Sequence, residues 1–221
     1  MEKKIDYVKL YEIQDKILEI VFSFDNSFYL TGGTALHRFH YNYRYSDDLD
    51  FFVPGDDLYG EYLKEFCDKL SSENILYKRP VQTRDFSRFI IKDFLQVDFV
   101  NDRVYREGNS ERINGFRIDN ILNILTNKIS AILSRDEEKD IFDLFSIAYN
   151  MDFNWHEVLS IVNKKSHCEP EILAQRIKNF PIEWLDRIKR TEINLTVLEN
   201  DLEKMCKEIT EKRHNSLAGI K

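Results

Sequence analysis

Gly32-Gly33-Thr34-Ala35-Leu36, followed by Arg44-Tyr45-Ser46-Asp47-Asp48-Leu49-Asp50-Phe51-Phe52, carries more structural information than any other part of the 221-residue chain. A glycine turn opens it, and an Asp-x-Asp pair leads into an apolar run. Side chains alternate faces along an extended strand, so Asp48 and Asp50 point one way while Leu49 and Phe51 point into a core. Two carboxylates on one face, a short step from a glycine-rich turn, make the kind of surface that a divalent cation and a triphosphate require. Glycines let backbone approach phosphate closely, and the helix start after Thr34 presents free N–H groups. Alone, a strand–Gly-Gly–helix turn is more often an ordinary structural turn. Ser46, two residues before Asp48, suits a phosphate hydrogen bond, a brace for an aspartate or a plain turn.

Working outward, residues 28–31 read as a short buried strand that delivers the chain to Gly32. Before it, Leu10, Ile13, Ile17, Val21 and Phe24 recur at helical spacing, which predicts a helix over residues 5–24. After it come a short helix at 34–40, a strand at 49–53 ended by Pro54-Gly55, and a helix at 57–70 with Leu58, Tyr62, Phe66 and Leu70 on one face. Residues 75–81 form a strand, and 86–91 and 94–100 form a hairpin about Lys92-Asp93. On its second arm Phe94, Gln96, Asp98 and Val100 share one face, while Leu95, Val97 and Phe99 share the other. A carboxylate at Asp98 among apolar neighbours needs a partner, because an unpaired buried charge is costly. A polar loop fills 101–112. Thereafter the pattern is helical: Asp119 as cap of a helix to Ser134, then 140–149, 155–162, 170–178 and 195–212. This order predicts an α/β domain over 1–116 and an all-helical domain over 117–221 that completes the active-site cleft.

Three carboxylates on two strands, Asp48, Asp50 and Asp98, form the first constellation. Adjacent strands lie about 4.8 Å apart, close enough for their carboxylates to share a cation. All-oxygen donors with no His or Cys suit Mg2+, and one carboxylate, Asp98 foremost, suits deprotonation of an attacking hydroxyl. The alternative is a solvated Asp47-Asp48 loop and a lone edge-strand charge at Asp98. The second constellation is Lys128, Arg135, Lys139, Asp140 and Asp143. Lys128 and Arg135 are seven apart, one helical face if the helix continues, and Asp140 and Asp143 are three apart. A solvated charged surface explains this pattern too. Against it, Ile129, Ile132 and Leu133 crowd Lys128, and Ile141, Phe142 and Leu144 surround Asp143. His37 and His40 fall on the short helix after the glycine turn and read mainly as structural.

Composition bounds the function. Hydrophobic residues are 43% and charged residues 32%, with 16 Phe and 11 Tyr, as in a globular protein with an aromatic-rich core. The net charge of -7 disfavours holding nucleic acid by general attraction, unless Arg79, Arg84, Arg88, Arg103, Arg106 and Arg112 collect on one surface. Cys67, Cys168 and Cys206 make neither a metal pattern nor an even disulfide set, which fits a reducing cytoplasm. The start, Met1-Glu2-Lys3-Lys4-Ile5-Asp6, does not read as a signal peptide, and no apolar stretch is long enough to span a membrane.

Taken in order, the pieces resemble one family. Gly32–Leu36, the Arg-x-Ser-x-Asp-Leu-Asp-Phe-Phe of 44–52, Asp98, and the Lys-x-x-Ala-x-x-x-Arg-x-x-x-Lys-Asp-x-x-Asp-Leu of 128–144 are similar to the AbiEii/AbiGii-type nucleotidyltransferases, toxins of abortive-infection and toxin–antitoxin systems. The resemblance covers roughly residues 28–145, and Gln96-Val97-Asp98-Phe99 is its loosest match. It implies a polymerase-beta-like nucleotidyltransferase fold: a mixed sheet with flanking helices, then a helical domain. It implies transfer of NMP from an NTP to a hydroxyl acceptor, RNA such as tRNA or a protein, in phage defence, with Mg2+ or Mn2+ and a cognate antitoxin. Gly32, Gly33, Thr34, Ser46, Lys128 and Arg135 would meet the nucleotide. Asp48, Asp50 and Asp98 would hold metal, and Asp140 or Asp143 would support or join catalysis. The rivals are small-molecule nucleotidylation of the aminoglycoside type and a catalytically degenerate protein that acts by binding a partner.

Overall fold

The structure, a computed structural model, describes residues 5–193 and 195–219. Residues 1–4, the charged start set against a signal peptide above, lie outside the described residues. The chain divides into two compact units. The first runs up to Ala35 and takes in Ser46–Val104 and Ser110–Asp119. The second takes in Leu36–Tyr45, Tyr105–Asn109 and the chain from Asn120 onward.

The first unit is built on one mixed sheet. Its strands are β1 (Tyr29–Thr31), β2 (Leu49–Pro54), β3 (Tyr77–Gln82), β4 (Phe86–Ile91), β5 (Leu95–Asp102), β6 (Glu111–Ile113) and β7 (Phe116–Ile118), in the order β3-β4-β5-β2-β1-β7-β6. β2 and β5 run parallel at the centre. One sheet face is covered by two amphipathic helices, α1 (Tyr7–Phe22) and α3 (Tyr59–Ser72). Asp6 caps α1, its side chain accepting from the Lys9 amide. The core beneath them is aromatic. The Phe99 ring lies 4.9 Å from Phe28, 5.2 Å from Phe51, 4.9 Å from Phe66 and 5.6 Å from Phe89, centroid to centroid. All five rings are fully buried, and each contributes about 2–3 kcal/mol by leaving water.

Several expectations shift. The buried stripe of α3 is Tyr59, Leu63, Phe66 and Leu70, and Leu58 stays exposed at the N-cap. Residues after 112 are not all helical: β6 and β7 form a hairpin through Asn114-Gly115, at φ 52° and 86°. That pair is a strong hairpin signal, because both central residues must adopt positive φ. β7 then pairs parallel to β1. The β4–β5 loop holds three residues, not two. Ile91 pairs with Leu95 rather than Phe94, with Lys92 and Asp93 both left-handed.

The second unit is helical: the short helix α2 (Gly32–Ala35) passes into a π-helical turn over Leu36–His40, which begins it. Then come α4 (Ile121–Ser134), α5 (Glu138–Asn150), α6 (Trp155–Lys165), α7 (Pro170–Lys178), a 3-10 turn over Ile182–Arg187, and α8 (Glu199–Thr210). Asn120, not Asp119, caps α4, accepting from the Asn123 amide. Asp119 is instead fully buried in the first unit and accepts from the Thr31 hydroxyl at 2.7 Å. The helix expected at 195–212 is shorter, starting only at Glu199. Trp155 is fully buried against Phe153. Among the described residues no helix is long and apolar enough to cross a membrane.

The aromatic core makes a graded expectation. Phe99→Ala should cost about 3–5 kcal/mol in urea unfolding. Phe94→Ala, at a site 52% exposed, should stay within about 0.5 kcal/mol.

Candidate functional site

The sheet face away from α1 and α3 carries the first cluster. Thr31 pairs with Asp50, Asp50 with Asp98, and Asp98 with Arg88. Directly paired residues point to the same side, so a single polar row crosses β1, β2, β5 and β4. Leu49, Phe51, Val97 and Phe99, one step along, all enter the core. The alternation read from the sequence is therefore what puts these carboxylates together. Asp98 is buried, while Asp48 and Asp50 are half-buried.

Two adjacent carboxylates repel, and Arg88 answers them. Its Nε and one terminal nitrogen donate to the two Asp98 oxygens at 2.8 and 2.7 Å. Gln96 Nε2 donates to the same carboxylate at 3.1 Å. The fork raises the Arg88 pKa, and the negative charges of Asp98, Asp50 and Asp48 add to that rise. The glycine turn adjoins this row. Gly32 has φ 70°, and a Cβ there would stand 2.5 Å from Asp50 Oδ2. Glycine thus supplies both the left-handed backbone and the space for the carboxylate. The Thr34 hydroxyl donates to the Asp48 carbonyl. Ser46 is buried and held through its backbone: its amide donates to the Tyr11 hydroxyl, and its carbonyl accepts from Gln14 Nε2.

The donor chemistry of Asp48, Asp50 and Asp98 fits Mg2+ or Mn2+, hard cations that take oxygen ligands. Among the described residues no three His, Cys, Asp or Glu side chains converge on one point. The fork explains that for Asp98, whose two oxygens face Arg88.

The second cluster lies within the helical unit. Lys128 Nζ donates to Asp140 Oδ1 at 2.9 Å and lies 2.7 Å from Asp143 Oδ2. Arg135 Nε donates to Asp140 Oδ2 at 2.8 Å. Arg44 grips Asp143 with a fork, at 2.7 and 2.8 Å, and His37 Nε2 meets the same carboxylate at 2.7 Å. α4 ends at Ser134, and Arg135 follows in an extended conformation. Lys128 and Arg135 therefore converge on Asp140 without sharing a continuous helix. Burial opposes ionisation throughout, but the Arg44 and Lys128 cations hold Asp143 well below the usual carboxylate range, and Lys128 lowers Asp140. Burial lowers the Lys128 pKa, yet Asp143 and Asp140 outweigh it and leave it raised. Burial dominates at His37 and lowers its pKa, so the ring is neutral near pH 7. Its Nε2–H then donates to Asp143, and its Nδ1 is buried without a partner.

Asp143 is 0% exposed and Asp140 1%, so both act by holding cations. Lys128 spends two N–H groups on them and keeps slight exposure, 11% of its side chain. Arg44, Lys128 and Arg135 all bond to these two carboxylates. Sequence reading placed Arg44 in the motif but gave it no role. Its buried partner lies 99 residues away, beyond any local pattern.

The arginines considered for nucleic acid divide. Arg79, Arg84 and Arg103 line a hollow of about 570 Å³ together with Lys64, Asp56 and Asp85. Arg103 is bonded to Asp85 there, and Asp56 and Asp57 add two more carboxylates to the lining. Arg88 is committed to Asp98.

The family model described as nucleotidyl transferase AbiEii toxin, type IV TA system, matches residues 16–217. An uncharacterized protein of Aquifex aeolicus (strain VF5) is 33% identical over 162 residues, 71% of this chain and 76% of the relative. MenT4, a nucleotidyltransferase toxin of Mycobacterium tuberculosis H37Rv, superposes with a TM-score of 0.63 at 14% identity, over 92% of this chain and 82% of that one. JHP933 of Helicobacter pylori gives 0.54 at 22% identity, over 93% and 89%. The two solved structures share the fold.

Gly32→Ala should lower stability by about 1–2 kcal/mol in urea unfolding, from its left-handed backbone alone. His37 sets an acid-side slope. Its folded pKa is lowered, so the unfolded chain binds the extra proton, and stability present above pH 6.5 is lost as pH falls below it. His37→Gln keeps a donor to Asp143 without a titrating ring. Thermal melts from pH 7 to 5 should show it losing a slope of up to about 1.4 kcal/mol per pH unit.

Proposed function

The chain belongs to the AbiEii nucleotidyltransferase toxin family, and from that premise we propose metal-dependent transfer of a nucleoside monophosphate from an NTP to a hydroxyl of RNA, a tRNA 3′ end foremost. The acceptor oxygen bonds to the α-phosphorus, the α–β bridging bond breaks, and pyrophosphate leaves. The observation that carries this reading is the row Asp50–Asp98 beside the Gly32 turn, with Asp48 two residues from Asp50.

Asp48, Asp50 and Asp98 would hold Mg2+ or Mn2+, which supplies neutralisation of triphosphate charge and polarisation of the reacting oxygens. The remaining chemistry falls to the chain. The turn at Gly32, Gly33 and Thr34 admits phosphate close to backbone, and buried Ser46 keeps the approach to Asp48 in place. Asp98 accepts the proton of the acceptor hydroxyl. Lys128, with an N–H to spare, contacts a nucleotide phosphate, and Arg135, whose side chain is 58% exposed, adds positive charge. Asp140 and Asp143 position Lys128. Catalysis rests on orientation and charge, as phosphoryl transfer generally does.

The family implies a cognate antitoxin, and we place the enzyme in the cytoplasm as a phage-defence toxin, consistent with its free cysteines. A protein hydroxyl and a small aminosugar are the competing acceptors. Incubating the protein with Mg2+ and α-labelled NTPs against tRNA, cell protein and an aminoglycoside separates all three. Label on tRNA is expected. Label on another acceptor, or on none, overturns the RNA reading. Asp48→Asn should reduce transfer by at least about 100-fold with folding intact. Transfer at the wild-type rate would remove Asp48 from the reaction.

A further inference from the structure

Arg88 occupies the carboxylate that a metal needs. On the sheet face bearing Asp48, Asp50 and Asp98, it is the cation paired across β4 and β5 with Asp98. It engages both Asp98 oxygens at once. Adjacent like charges destabilise a sheet, so some cation has to stand by Asp50 and Asp98. A guanidinium and a divalent ion answer the same need, and each makes the other less welcome.

We propose that Arg88 is a built-in counter-cation, bound to Asp98 when the metal site is empty and displaced from it when a divalent ion binds. Arg88 is thereby a positioning residue that sets metal affinity, rather than a fixed structural pin or a contact for RNA. Three features suit a removable group. The Arg88 side chain is 37% exposed, whereas that of Asp98 is 9% exposed. Its carbon Cζ already lies 5.6 Å from the centroid of the Phe86 ring, two residues earlier on the same strand face, which offers the freed guanidinium a resting place. Gln96 stays bonded to Asp98 and, being neutral, does not oppose a second cation. The contrast with Arg44 is informative. That fork is 3% exposed and locked on a carboxylate with no exposure, and has no way out.

The coupling is reciprocal: whatever free energy Arg88 gives up on leaving Asp98 is subtracted from metal binding. A half-exposed charge-assisted fork makes that a matter of about tenfold in affinity. The inference rests on the metal site proposed above.

The test is titration of the full chain with Mn2+ alone, followed by electron paramagnetic resonance, without nucleotide. Arg88→Met should bind Mn2+ about tenfold more tightly than wild type. Arg88→Lys keeps the charge but cannot fork, and should fall between them. Equal or weaker binding by Arg88→Met overturns the proposal. So does tighter binding by Arg88→Met with Arg88→Lys unchanged, which would mean that only net charge matters. A purely structural ion pair would lower the melting temperature and leave Mn2+ affinity alone. If Arg88→Met does not fold, the Arg88→Lys comparison with wild type decides. Absence of Mn2+ binding by wild type and variants alike removes the metal site itself. Binding by wild type that Asp48→Asn abolishes, but Arg88→Lys leaves unmoved, removes only the role of Arg88.

Discussion

The parallel pairing of β2 with β5 sets Asp50 beside Asp98 on adjacent strands, at the spacing of one backbone hydrogen-bond ladder. No soluble sheet accepts two unscreened carboxylates there without compensation. The surroundings read as answers to that constraint. Arg88 arrives from β4, Gln96 from one turn of the pleat away, and Gly32 withholds a Cβ so that the Asp50 carboxylate has room. On the opposite face Phe51 and Phe99 stack at 5.2 Å, fixing the same register from the core side. A slip by one residue would bury Asp50 and Asp98 and expose the rings, so the aromatic core and the acidic row enforce each other.

The helical unit solves a different electrostatic problem. Asp143 is a fully buried anion, and three groups from the chain's π-helical turn, its extended segment at Arg44 and α4 converge on it. Buried ion pairs often add little net stability, because desolvation offsets their attraction. What they provide is discrimination: a shifted helix would strand a charge in the core.

The helices and most strands were legible because their signals are local. The periodic face of α1, the alternation of β5 and the Asp-x-Asp step are properties of neighbours in sequence. The misses share a cause as well. Asp119 looked like a cap by position, but Asn120 won because Asp119 is drawn to Thr31, 88 residues away. Asn114-Gly115 carried a hairpin signal, hidden because its strands are three residues each and pattern reading needs longer runs. The two-residue loop expected at Lys92-Asp93 would set Arg88 opposite Val97. The third loop residue, Phe94, moves it opposite Asp98.

That loop gives the protein an unusual sensitivity to length. Surface loops are where insertions and deletions normally drift in freely, since the backbone there is solvated and the elements on either side do not notice. The turn over residues 92–94 is exposed, yet its count of residues acts as a gear tooth. Gain or loss of one would rotate every side chain of β4 relative to β5 and carry Arg88 to the wrong face. Among related chains, this turn should therefore hold its length while its side chains vary.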